Sequence, residues 1–218
     1  MTNRSPDNLP EVTGVILAGG LSSRMGSNKA LLPYRSGRFI ESIHRQLASL
    51  FGEVLVVANN PGLYDFLGCR IVPDLHPGLG VLAGLHAGLS ASRSRHIFAV
   101  ACDMPYLNGR LIAELVSRRE SADVIIPEGD KGLEPLHAVY GRACLPHMEA
   151  ALLDNRRRVI SFFPEVRVLH SVSGPFDLIA IVAAASIGEL DALIDRIGGL
   201  DGVERTTSAI VLSTRIQR

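Results

Sequence analysis

The sequence is poor in the features that commit a chain to a membrane, a nucleic acid or an oxidising compartment. Its longest uninterrupted apolar run, residues 178–185, is far too short to span a bilayer. Charge of neither sign is in excess: 22 Lys and Arg stand against 22 Asp and Glu. The balance points away from nucleic acid and membrane surfaces, so any basic field must be local and the expected partner is small. Cysteine is sparse. Cys69, Cys102 and Cys144 are widely separated and form no Cys-x-x-Cys pair or Cys/His cluster. That excludes the usual zinc patterns and fits reduced thiols in a cytoplasm. Residues 1–11 are polar, with two prolines and no apolar centre, so a signal peptide is not expected.

What is present is a chain of 218 residues, 47% of them apolar, enough for one large domain or a large one with a small one. Residues 12–18 are apolar but for Thr13 and do not alternate, which predicts a buried parallel strand. Residues 39–51 predict an amphipathic helix with Phe39, Ile43, Leu47 and Leu50 on one face, closed by Gly52. Strands follow at 53–58 and 70–72, with a short helix at 63–67 between them. A glycine-rich segment from Gly78 opens a helix to about residue 91. Beyond it come a strand at 96–101, a helix at 107–119, strands at 124–127 and 134–140, and a helix near 143–153. Alternating strands and helices predict an α/β fold with a doubly wound, mostly parallel sheet. In such sheets ligands bind beyond the carboxyl ends of the strands, where Gly19, Asp74 and Asp103 stand.

The first strand runs into Gly19-Gly20-Leu21-Ser22-Ser23-Arg24-Met25-Gly26-Ser27-Asn28-Lys29. Bare glycines at 19, 20 and 26 let a phosphate chain approach backbone N–H groups. Arg24 offers a planar fork and Lys29 a point charge to phosphate oxygens. The pattern is neither a P-loop nor Gly-x-Gly-x-x-Gly.

Asp103 follows an apolar strand directly and precedes Met104-Pro105. A carboxylate at a strand tip facing a phosphate loop suits a magnesium ion, which takes one or two protein oxygens and fills its shell with phosphate and water. The same aspartate equally suits capping of the helix that begins near Leu107. Asp74 can hold the nucleoside or form an Asx-turn. The glycines at 78–84 serve either an anion at a helix start or tight helix–sheet packing. Arg156-Arg157-Arg158 is either a solvated helix end or a greeting for an acidic substrate.

Four ordered motifs carry a family resemblance: Leu17-Ala18-Gly19-Gly20 through Lys29-Ala30-Leu31-Leu32; Pro73-Asp74 before Gly80-Val81-Leu82-Ala83-Gly84; Cys102-Asp103-Met104-Pro105; and Glu134-Pro135-Leu136-His137-Ala138-Val139-Tyr140. Together they resemble the molybdenum cofactor guanylyltransferases among the sugar-phosphate-type nucleotidyltransferases, with their Rossmann-like nucleotidyltransferase fold. The resemblance implies transfer of GMP from GTP to the terminal phosphate of molybdopterin, with Mg²⁺ as cofactor and cofactor-accepting apoenzymes downstream. It implies GTP contacts for Leu17, Ala18, Gly19, Gly20, Lys29, Asp74 and Asp103. It implies catalytic roles for Arg24, Lys29 and Asp103, metal binding by Asp103, and an acceptor-side role for Glu134. Two positions depart from the pattern: Val81 replaces a usual proline, and Val57 stands where some relatives have a guanine-contacting asparagine, with Asn59 nearby. A related transferase using CTP or another phosphate acceptor, or a nucleotide-sensing protein on the same scaffold, are the alternatives.

The family's Asn-x-Asn-Thr-Pro-Glu-like ending is missing. Residues 166–216 instead resemble the second half of the effector-binding domain of Lrp/AsnC-type regulators, through His170-Ser171-Val172-Ser173-Gly174-Pro175-Phe176-Asp177-Leu178 and Gly202-Val203-Glu204-Arg205 among others. We therefore expect a nucleotidyltransferase domain at 1–163 and a small α+β, ferredoxin-like half module at 164–218. A hairpin around Ser173-Gly174-Pro175 needs an edge, on this chain's own sheet or on a second copy as a homo-oligomer.

Overall fold

Runs of Val, Ile and Ala build strands in this chain, and helices with one apolar stripe cover them. In the computed structural model, which describes residues 9–19, 28–35, 37–129, 132–165, 168–172 and 178–181, the sheet begins with Leu9–Leu17 (β1). A small ladder of Pro33–Tyr34 (β2) and Gly37–Arg38 (β3) leads into Phe39–Ala48 (α1). Phe51–Val57 (β4), Arg70–Val72 (β5), Val81–Ala91 (α2), His96–Ala101 (β6) and Gly109–Ser117 (α3) follow. Then come Val124–Gly129 (β7), Gly132–Leu133 (β8), His137–Gly141 (β9), Leu145–Leu153 (α4), Val168–Val172 (β10) and Leu178–Ile181 (β11). All belong to one unit, Met1–Ile181.

The main sheet has the order β11-β10-β7-β9-β6-β1-β4-β5, with β8 beside β7. β1 lies between β4 and β6 and is parallel to both, and β5 continues the parallel set. β9 is antiparallel to its neighbours β6 and β7, because the short connection from β7 allows a reversal but no crossover helix. The sheet is thus mixed but mostly parallel, as the alternation of elements predicts.

Each face has its own core. Val15, Leu55 and Val57 meet Leu82, Leu85 and Leu89 of α2 and Met148 of α4. Val12, Ile16 and Phe98 meet Ile43 and Leu47 of α1 and Ile112 and Leu115 of α3. Val12 and Ile16 of β1 therefore serve one layer and Val15 the other, which is why the strand is apolar on both faces there.

Several boundaries differ from the sequence expectation. α1 stops at Ala48, and Gly52 lies inside β4 instead of closing the helix. Phe51 is drawn into the strand by pairing with Leu9 and by stacking on Phe98 at 5.8 Å between ring centroids. The buried stripe of α1 is Ile40, Ile43 and Leu47, whereas Phe39 stacks on Tyr34 at 4.8 Å. The last strand of the motif begins at His137, not Glu134: His137 N–H donates to the Glu134 carbonyl at 3.0 Å, a turn ahead of the ladder.

The hairpin expected at 166–184 forms as β10 and β11, paired from Val168↔Ile181 to Ser171↔Leu178. Of the two edges open to it, β10 takes this chain's own, running parallel to β7. The Ser173-Gly174-Pro175 turn and everything from residue 182 onward lie outside the described residues.

Candidate active site

Strand register, more than any single contact, assembles the site. Leu17 of β1 is level with Val57 of β4 and Ala101 of β6, and Val57 with Val72 of β5. Two residues beyond that row stand Gly19, Asn59, Asp74 and Asp103, all at the carboxyl rim. β9 runs the other way, with His137 opposite Val100. Glu134, in the turn ahead of β9, lies at the same end of the sheet, its N–H donating to the Pro127 carbonyl of β7 at 3.0 Å.

Asp103 sits at the tip of a turn in which Met104 N–H donates to the Ala101 carbonyl at 3.3 Å. Pro105 is tied to α1, since Gln46 Nε2 donates to its carbonyl at 3.0 Å. The helix-capping alternative does not apply to Asp103: Asn108 caps α3, its Oδ1 accepting from Arg110 N and Leu111 N at 3.1 and 3.3 Å. The Asp103 carboxylate faces Lys29, with Nζ 3.4 Å from Oδ2, and the two side chains are 47% and 45% exposed. An ion pair this exposed adds little to stability, so both groups are available to a ligand. The adjoining Cys102 thiol is pushed up to about 11 by burial and by the Asp103 charge, which leaves it protonated and unreactive.

Asp74 does form the Asx-turn, Oδ1 accepting from His76 N at 2.8 Å, while Asn59 Oδ1 accepts from Asp74 N at 2.9 Å. Asn59 thus secures the neighbouring tip with its oxygen. Gly80 precedes α2 with φ of 85°, a conformation open to glycine, and Gly78 shares it. The close-packing glycine of α2 is Gly88, beyond the motif: a Cβ there would lie 2.6 Å from Val15 Cγ1. At Gly84 the nearest atoms would be 3.7 Å away, an ordinary contact.

The ladder occupies part of the backbone expected to meet nucleotide. Leu17 C=O accepts from Cys102 N at 3.2 Å, and Ala18 N–H donates to Val57 C=O at 2.9 Å. Gly19 is exposed, and the nearest atom to a Cβ placed there would be Val57 O at 3.9 Å. Gly20, Arg24 and Gly26 lie outside the described residues. In the basic run, Arg156 is turned to structure, with Nη1 donating to the Ser161 carbonyl at 2.7 Å, and Arg157 Nε donates to Asn155 Oδ1 at 2.9 Å.

Sequence reasoning missed Tyr64 and Asn28. Tyr64 is buried, its hydroxyl accepts from Asn28 Nδ2 at 2.7 Å and donates to the Ala18 carbonyl at 3.3 Å. The available signal was an aromatic with a polar tip in a segment otherwise rich in turn residues, since a buried tyrosine hydroxyl requires partners. A concavity of about 870 Å³ also opens beside the Asp103 turn, on the α1 and α3 side, lined by Tyr34, Arg35, Arg45, Tyr106 and Arg110 among others. It adjoins the rim but contains none of the rim residues.

Among the described residues no three His, Cys, Asp or Glu side chains gather as a metal-binding group. The single carboxylate of Asp103 can offer one oxygen to a hard cation that fills the rest of its shell with phosphate and water. No helix among the described residues is long and apolar enough to cross a membrane.

Comparison with known proteins agrees with this fold. A model of the MobA-like NTP transferase domain matches residues 14–168, and one of the Lrp/AsnC ligand binding domain matches residues 145–218. A probable molybdenum cofactor guanylyltransferase of Pelotomaculum thermopropionicum is 39% identical over 158 residues, covering 72% of this chain and 77% of that protein. One from Clostridium perfringens is 38% identical over 149 residues, covering 68% and 75%. The crystal structure of molybdopterin-guanine dinucleotide biosynthesis protein A from Archaeoglobus fulgidus shares the fold, with a TM-score of 0.65 at 24% identity over 74% of this chain and 83% of that one. A family match across most of the chain means that the chain belongs to the MobA-like NTP transferase domain family.

Proposed function

We propose that this chain transfers GMP from GTP to the terminal phosphate of the molybdopterin cofactor, giving the guanine dinucleotide form and pyrophosphate. The observation that carries the reading is the shared rim, with the Lys29 ammonium 3.4 Å from the Asp103 carboxylate between the tips of β1 and β6. The relatives named molybdenum cofactor guanylyltransferases support the choice of substrates.

The acceptor phosphate oxygen attacks the α-phosphorus, a new P–O bond forms, and the bond to the β-phosphate breaks, its electron pair leaving with pyrophosphate. An ionised phosphate needs no strong general base, so catalysis reduces to positioning and charge neutralisation. In this reading Leu17 and Ala18 form the floor under the nucleotide, and Gly19 and Gly20 let it approach the backbone. Lys29 and Arg24 hold the phosphates, Asp74 the nucleoside side, and Glu134 the acceptor side. Asp103 would hold Mg²⁺, which when bound supplies charge neutralisation on the reacting and leaving phosphates. The work belongs in the cytoplasm, with the product passing to cofactor-accepting apoenzymes.

The test is pyrophosphate release by the full chain with GTP, Mg²⁺ and molybdopterin. Asp103→Ala should lower turnover by about a thousandfold while the melting temperature stays put, in keeping with loss of one preorganised electrostatic group. Normal turnover by that variant refutes the metal role.

The match of residues 145–218 to a ligand binding domain favours a second role in the same chain. With β10 and β11 paired to this chain's own sheet, we read residues 182–218 as the part through which two copies associate.

A further inference from the structure

Ala18 and Asn28, ten residues apart in the chain, meet at one side chain. Tyr64, in the segment after β4, is 1% exposed. Its hydroxyl donates to the Ala18 carbonyl at 3.3 Å and accepts from Asn28 Nδ2 at 2.7 Å. Each anchor is itself fixed. Ala18 N–H donates to Val57 C=O at 2.9 Å, and Asn28 Oδ1 accepts from Ala30 N at 3.1 Å, starting the 3-10 turn Lys29–Leu31 whose Ala30 is fully buried. Lys29 is the next residue after the anchor, and it is the group that reaches Asp103.

We propose that Tyr64 is a positioning residue: its hydroxyl ties Asn28 to Ala18 and thereby sets where the Lys29 ammonium stands against the triphosphate. The role rests on the guanylyltransferase reading. The hydroxyl is suited to it because it bonds in both directions at once, donating to a carbonyl on one side and accepting from an amide on the other. Phenylalanine fills the same space and loses both bonds, leaving the Ala18 carbonyl and the Asn28 amide without that partner. Burial raises the Tyr64 pKa above its ordinary value, so the hydroxyl keeps its proton and remains a donor. A Lys29 already fixed through Asn28 loses less freedom when the triphosphate arrives, so the Tyr64 bonds strengthen binding of the part of the substrate that Lys29 touches.

The experiment compares full-length wild type, Tyr64→Phe and Asn28→Ser, the serine keeping a capping oxygen while dropping the amide donor. Each variant should lose about tenfold in kcat/KM for GTP, the size expected for one buried hydrogen bond with its partners left unpaired. The double variant should lose no more than the larger single loss. In a Lys29→Ala background Tyr64→Phe should cost less than about twofold, because a residue acting through Lys29 has nothing left to position. Hydrogen exchange at amides 28–32 without nucleotide should speed up about tenfold in Tyr64→Phe, while β6 amides keep their rates. Wild-type kcat/KM in Tyr64→Phe, an undiminished loss in the Lys29→Ala background, or unchanged exchange at 28–32 overturns the proposal. If the wild type itself transfers no GMP, the guanylyltransferase reading falls, and the exchange result alone decides whether Tyr64 fixes the loop.

Discussion

Four histidines, His44, His86, His96 and His137, have pKa values lowered from the ordinary 6.5, in each case chiefly by burial. His137 packs edge-on against Phe98 at 5.0 Å, and its Nε2 is buried with no partner, as is Nδ1 of His86. The sign follows from proton uptake: as pH falls through 6.5 the unfolded chain protonates before the folded one does. Stability is therefore complete above that value and declines below it, levelling off once the lowered folded values are passed. Melting temperature measured between about pH 8 and pH 5 should fall on the acid side, and His137→Gln should flatten the slope. At this same scale the sequence left Asp103 suspended between metal ligand and helix cap. Chain distance could not separate these uses, because a cap is defined by which N–H groups it meets, and those groups meet Asn108.

Among the elements, α2 shows why spacing alone misled. The motif glycines at 80 and 84 and the later Gly88 read alike in sequence, yet they do different work. Gly80 turns the chain at φ 85°, Gly84 has ordinary clearance, and Gly88 is where helix and β1 touch. Gly88→Ala should lower stability by about 1–2 kcal/mol, overpacking against Val15 outweighing the gain in helix propensity. Gly84→Ala should leave stability unchanged or raise it by up to about 1 kcal/mol. Thermal unfolding of the two variants side by side checks both signs. The strands were legible because continuous apolar runs such as Ile97-Phe98-Ala99-Val100-Ala101 admit little else. The end of α1 was not, because Phe51 and Gly52 fit a helix terminus locally and are claimed by pairing with Leu9 from the far end of β1.

For the whole molecule, the main consequence lies at the C-terminal edge of the sheet. β10 covers one side of β7, so a chain ending at residue 163 loses β10 and β11 together and leaves β7 as an open edge. A chain ending at residue 181 keeps both. We expect the shorter form to melt lower and aggregate. The longer should hold its melting temperature and its GMP transfer, and lose self-association if residues beyond 181 carry it. Light scattering together with thermal unfolding and the pyrophosphate assay separates these outcomes.

The alternation of strands and helices, the order of the motifs, and which residues carry charge beside bare glycine are properties of neighbours along the chain and could be read from it directly. Only the folded chain reveals that β9 reverses, so that Glu134 joins Gly19, Asp74 and Asp103 at one end of the sheet, and that a tyrosine outside every motif bonds to both Ala18 and Asn28. Register between strands and the partners of a buried hydroxyl come from segments tens of residues apart, and no local pattern encodes them.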